Sequence, residues 1–186
     1  MITINKTKTP FAAVLVTAAI TAAASANINA TALTVGTSGP FVAEDTTFTG
    51  LNDLAWFTFT LDATTSINID FNRTSAPPDL VASLYSGDID GFDAFGFGTH
   101  RDVWTSNFGP LTFVDLQDDT HDDAFGGPFG DPQFLNTLDA GTYSIVVSAL
   151  EGAGGEFTVT SNVAPTPGAL AALGLGGLMA TRRHRH

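Results

Sequence analysis

Two acidic stretches hold the residue types most able to do chemistry. In Asp88-Ile-Asp90-Gly91-Phe-Asp93, three carboxylates surround a glycine turn. There the backbone can curl so that alternate side chains and a carbonyl converge on one hard cation, and calcium is the ion such oxygens suit. The stretch lacks the closing bidentate Glu and the flanking helices of a helix–loop–helix calcium site. The second stretch holds Asp118, Asp119, Asp122 and Asp123, with Asp131 further on. Carboxylates this close repel one another, and either water or a metal ion must screen them. The competing reading is that both stretches are solvated loops that keep the protein soluble.

Aromatic residues offer a different chemistry. Trp56 lies on the opposite strand face from Phe57 and Phe59, and Trp104 follows His100-Arg101-Asp102 in an irregular stretch. An exposed indole stacks on a sugar ring while neighbouring polar groups bond its hydroxyls. Trp56 can equally pack beneath a loop. Catalytic constellations are absent: there is no Gly-x-Ser-x-Gly elbow, His-Glu-x-x-His pair or phosphate-binding glycine loop. His100 and His121 are the histidines of the central region. With 19 acidic residues, some carboxylate pair is always available, so glycoside hydrolysis gains nothing from that count. The expectation is a protein that is not an enzyme.

These residues sit between short strands. Trp56-Phe-Thr-Phe-Thr-Leu61 and Ser66-Ile-Asn-Ile-Asp-Phe71 alternate apolar and polar positions, and the two read as a hairpin. Further strands are expected at 79–86, 111–116, 133–138, 140–149 and 157–161, after a lead-in strand and a Gly39-Pro40 turn within 28–41. No helical period appears between 27 and 162. Seven to nine short strands with Gly and Pro turns predict an all-β fold, an antiparallel β-sandwich of jelly-roll type. The strand at 53–61, Asp79-Leu-Val-Ala-Ser-Leu-Tyr85, and Leu138-Asp-Ala-Gly-Thr-Tyr143 before a long apolar strand together resemble bacterial pre-peptidase C-terminal domains. That resemblance implies a noncatalytic appendage or matrix module.

Both ends carry addresses. Lys6 and Lys8, the apolar run Phe11 to Ala24 and Ala24-Ser25-Ala26 form a signal peptide over 1–26, with signal peptidase leaving Asn27 as the mature start. At the other end, Val163-Ala-Pro165-Thr166-Pro167-Gly168 breaks the chain, an uncharged segment reaches Ala180, and Arg182, Arg183 and Arg185 close it. As a helix, the 13 residues 168–180 cover ~20 Å of a hydrocarbon layer roughly 30 Å thick, a marginal span. The arginines favour the cytoplasmic side. This block order resembles the PEP-CTERM sorting signals of bacteria, with Thr166 where the commoner motif has Glu. The resemblance implies an exosortase-type membrane protease as partner and transient membrane tethering over 163–186.

Between the two addresses lies the acidic domain, 27–162, a length suited to one core. It holds all 19 acidic residues against Arg73 and Arg101, a formal charge of −17. Such a surface repels phosphate backbones, so nucleic acid is not an expected partner. With no cysteine, stability rests on packing, with calcium as a possible addition. The expected function is a structural or adhesive module at the cell surface or in exopolysaccharide matrix, with a calcium-dependent carbohydrate-binding module as the alternative and an enzyme accessory or weak hydrolase third.

Overall fold

The structure, a computed structural model, describes residues 27–47, 49–76, 78–121, 130–150 and 154–163. The expected signal helix, the expected tail helix, Asp122, Asp123, Pro165, Thr166, Pro167, Gly168, Arg182, Arg183 and Arg185 lie outside the described residues.

Two sheets pack face to face. The first contains, in spatial order, β1 (Thr31–Ala32), β3 (Ala55–Leu61), β10 (Gly141–Ala149), β6 (Leu80–Ser86) and β7 (Thr112–Gln117). The second contains β2 (Gly36–Ala43), β11 (Gly155–Ser161), β5 (Ile69–Arg73) and β8 (Gln133–Phe134). A small ribbon pairs β4 (Thr65–Ser66) with β9 (Thr137–Leu138). Pairing is antiparallel throughout except for β1 on β3. The fold is an all-β sandwich.

Alternation explains the core between the sheets. Phe57, Phe59 and Leu61 of β3, Leu84 of β6, and Ile145 and Val147 of β10 face Ile69 and Phe71 of β5 and Phe157 and Val159 of β11. Phe57, Phe71 and Phe157 form a ring trio with centroids 5.9 to 6.2 Å apart, and Phe41 meets Phe57 edge-on at 4.9 Å. Burying aromatic rings in offset and edge-on contacts supplies much of the packing free energy of such a core.

The expected hairpin between β3 and β5 does not form. β3 pairs with β10 and β1, whereas β5 pairs with β11 and β8. Both strands carry one apolar face, and they bury those faces against each other across the sandwich instead of side by side. The Gly39-Pro40 segment is also not a turn but lies inside β2, with a cis peptide bond. Opposite it the register with β11 shifts between Phe157 and Val159. Gly39 has φ +122°, and a Cβ there would stand 3.1 Å from the Phe157 carbonyl oxygen, so only glycine fits. The strand expected at 133–138 is split, because Leu135 turns outward and is 68% exposed.

A third layer covers the outer face of the five-stranded sheet. Trp56, Tyr85 and Val146 point out of the sheet into a second cluster with Ile28, Leu51, Leu54, Ile89, Ala94, Val103, Phe108 and Leu111. The cover contains a single 3-10 turn, Leu51–Asp53, and a helical turn, α1 (His100–Val103), capped by Thr99 and Asp102. Replacing Phe71, which is fully buried, by Ala should lower unfolding free energy by about 3–5 kcal/mol in urea titrations. Phe95→Ala in the cover, at a side chain 74% exposed, should change it by less than about 0.5 kcal/mol.

Candidate metal centre

The first acidic stretch does not converge on a cation. Asp88 Oδ1 accepts the Asp90 N–H at 3.0 Å, Asp90 Oδ1 accepts the Ala30 N–H at 3.0 Å, and Asp93 Oδ1 accepts the Phe95 N–H at 3.0 Å. Each carboxylate thus serves a different backbone amide. Around Gly91, at φ +74°, the Gly91 N–H donates to Ile28 O and the Ile28 N–H to Phe92 O, both at 2.9 Å. The stretch is a clasp for the chain at 27–30.

The second stretch supplies two members of a three-carboxylate group whose third member the sequence did not reveal. β6 and β7 run antiparallel with Ala82 opposite Gln117. Asp79 stands just before β6, and Asp118 and Asp119 just after β7, so the register brings all three to one end of the pair. One oxygen from each lies within 4.8 Å of the others. Trans oxygens around a calcium ion stand about 5 Å apart, so the spacing is that of one shell. Asp79 is buried, Asp118 half-buried and Asp119 exposed. Asp119 Oδ1 accepts the Gly130 N–H at 2.7 Å, while Asp118 Oδ1 is shut off from solvent with no hydrogen bond among the described residues. Burial, and then the charge of Asp119, push the Asp118 carboxyl above its ordinary value. Oxygen donors of this kind suit calcium or magnesium.

His121, a neighbour of Asp119 in sequence, does not join this group. It pairs through its backbone with Asp131, N–H to O at 2.9 and 2.8 Å. Asp131 is instead the counter-ion of Arg73: its Oδ1 lies 3.0 Å from Nε and its Oδ2 accepts the Arg73 N–H at 3.1 Å. The guanidinium is held further by Nη1 donating to Pro78 O at 3.1 Å, next to Asp79.

Trp56 does not form a sugar platform, and Trp104 is half-buried. Trp56 is only 2% exposed, donates Nε1–H to Leu51 O at 2.7 Å and stacks on Phe108 at 6.2 Å. It packs beneath the cover in one cluster with Tyr85, Phe108 and Val146. Trp104 has the Arg101 guanidinium over its ring at 5.7 Å, and its Nε1 is buried.

His100 had no assigned role in the sequence, yet it organises the cover. Its Nε2 lies 2.9 Å from Ser83 Oγ of β6, and its Nδ1 bonds Ser148 Oγ of β10. Ser83 donates onward to Trp104 O at 2.8 Å. All three side chains are fully buried. Burial holds the imidazole neutral, its pKa lowered to about 3.

No protein-family model matches the chain, and no curated protein matches it. Among solved structures it is similar to the pre-peptidase C-terminal domain of collagenase from Bacillus anthracis, at 9% identity over 73% of this chain and 96% of that one, with a TM-score of 0.43. A likeness so slight assigns nothing, and the sandwich stands on its own strand pairings.

Because its folded-state pKa is raised, Asp118 holds its proton in the folded protein at pH values where the unfolded chain has lost it. Stability therefore falls as pH rises from 3.8 through the elevated value. In chelator-treated protein, Asp118→Asn should melt at a higher temperature than wild type at pH 7, with the gap closing as the pH is lowered to 3.8.

Proposed function

We propose that the chain is an exported, noncatalytic structural or adhesive module, released by signal peptidase at Asn27, tethered by its tail, and delivered by an exosortase-type protease to the cell surface or exopolysaccharide matrix. The observation that carries the noncatalytic reading is the fate of the reactive groups. The His100 imidazole with its Ser83 and Ser148 partners is sealed from solvent, and Asp88, Asp90 and Asp93 each hold a backbone amide through one oxygen rather than facing one another in a pair. A nucleophile or base that no substrate reaches does no chemistry. Processing at both ends is compatible with the pairing of the remaining segment. Asn27 bridges Asp93, and the Asn162 N–H donates to Asn68 O at 3.1 Å, so neither contact needs the flanking addresses.

A calcium ion at Asp79, Asp118 and Asp119 is favoured by the convergence of their oxygens and by the buried Asp118 Oδ1. It would join the β6 and β7 ends and offset the repulsion among three carboxylates. Its role in this reading is mechanical, in keeping with a module that endures outside the cell without disulfides. The carbohydrate alternative keeps the cation but loses Trp56, whose indole is covered.

Intact mass of the native protein from membrane, surface and culture fractions tests the route. A mass beginning at Asn27 and lacking everything after about Pro165 is expected. Retention of Arg182, Arg183 and Arg185 in membrane-bound protein would rule out exosortase-type processing. For the cation, calcium at a hundredfold excess over Kd should stabilise wild type by about 2.7 kcal/mol, seen as a rise in melting temperature that Asp118→Asn abolishes. No rise in wild type removes the calcium reading.

A further inference from the structure

Several side chains fasten the cover to the sheet, and one of them, His100, is an imidazole that can take up a proton. Hydrogen-bond accounting fixes the state of that side chain. Ser83 has a single proton and donates it to Trp104 O at 2.8 Å, so Nε2 of His100 must donate to Ser83 Oγ at 2.9 Å. Nδ1 is left as the acceptor of the Ser148 hydroxyl. The chain of bonds from Ser148 through His100 and Ser83 to Trp104 thus runs in one direction and ties α1 to β6 and β10. A proton added at Nδ1 reverses the Ser148 bond and places a full positive charge in a dry site.

The imidazole's bonded partners are both neutral hydroxyls, and the acidic group at Asp79, Asp118 and Asp119 stands at the end of the β6–β7 pair without bonding it. On β6 the neighbouring titratable group is Tyr85, whose hydroxyl donates to Val103 O at 3.0 Å and is held neutral by burial. On β10 the flanking outward residue is Val146. On α1, Arg101 lies over Trp104 and the Asp102 carboxylate accepts from Thr99 N–H at 2.7 Å. Beside the end of β10, Asp45 accepts from Thr47 and Glu44 is exposed. On β7, Leu116 lies opposite Ser83, and Asp115 accepts from Gln117 and Asn136. Among the described residues no carboxylate pairs with the imidazole.

We propose that His100 is an acid-operated latch: its protonation frees the cover spanning 87–111 from the five-stranded sheet, exposing Trp56, Tyr85 and Phe108 while the sandwich beneath stays folded. The separation into two clusters supports this, since the cover's apolar contacts lie in a cluster distinct from the core between the sheets. Once opened, the imidazole regains water and an ordinary affinity for protons. Opening is then favoured between pH 6.5 and about 3, roughly tenfold more for each pH unit lost.

Amide hydrogen exchange on the intact domain tests the latch, with β5 and β11 as the internal reference. Cover amides such as Leu51, bonded to Gly98 O, and Ser106, bonded to Val103 O, report opening. After correction for intrinsic exchange, their protection should fall about tenfold between pH 6 and pH 5, while β5 and β11 amides hold theirs. His100→Gln should flatten that dependence. Protection falling in step across cover and sandwich, no fall in wild type, or an unchanged slope in His100→Gln would each overturn the proposal. Should that variant not fold, the ring carbon shifts of His100 in wild type decide: titration near 6.5 with the cover still protected overturns it, and titration far below supports it.

Discussion

β6 and β10 lie in the middle of a three-layer stack and are covered on both faces, and this double burial dictates much else. Alternate residues of both strands enter the core between the sheets, and the rest enter the cluster under the cover. Serines on the cover side therefore have no water to turn to, and a buried hydroxyl left without a partner costs about 1–3 kcal/mol. Ser144 settles this by donating to Gly87 O at 2.8 Å and accepting from the Ile89 N–H at 3.1 Å. Ser83 and Ser148 do so through His100. The path of the chain from 87 to 104 follows from where those hydroxyls need partners. What reads as an irregular loop is a layer with fixed attachments.

Charge is arranged by the same logic of accounting for each group. The domain has only Arg73 and Arg101 against its carboxylates: Arg73 is buried with Asp131, and the exposed Arg101 lies over the ring of Trp104. The surface is left almost wholly anionic. Several of its carboxylates earn their place as turn-makers, with Asp45, Asp88, Asp90 and Asp93 each accepting backbone N–H groups. Removing one of a buried charge pair costs far more than removing an exposed carboxylate, because the survivor is left without compensation in a dry site.

Strand alternation made the sandwich legible: Phe57, Phe59 and Leu61, and Ile69 and Phe71, sit inward as their spacing implies. Alternation names two faces, however, and is silent about whether the second is wet. That is why Trp56 reads as available for a ligand and proves to be buried. It is equally silent about partners, so β3 and β5, adjacent in sequence and alike in pattern, read as a hairpin though they belong to different sheets. Asp79 was invisible as a site residue, because its place beside Asp118 and Asp119 depends on the β6–β7 register. His100 carried no local signal at all. Its role exists only once two non-neighbouring stretches of sequence are paired.

The two sheets share a feature of chain order: β10 is central in one and β11 lies between β2 and β5 in the other. Among the described residues, the last two strands in chain order are the keystones of both halves. A nascent chain that has exposed everything up to β9 has β3 and β6 with no strand between them, and β2 and β5 likewise. Closing such distant pairs is entropically slow and comes late. Both complete sheets therefore close only once the chain through Ser161 is available, whatever local pairs such as β6 with β7 form earlier.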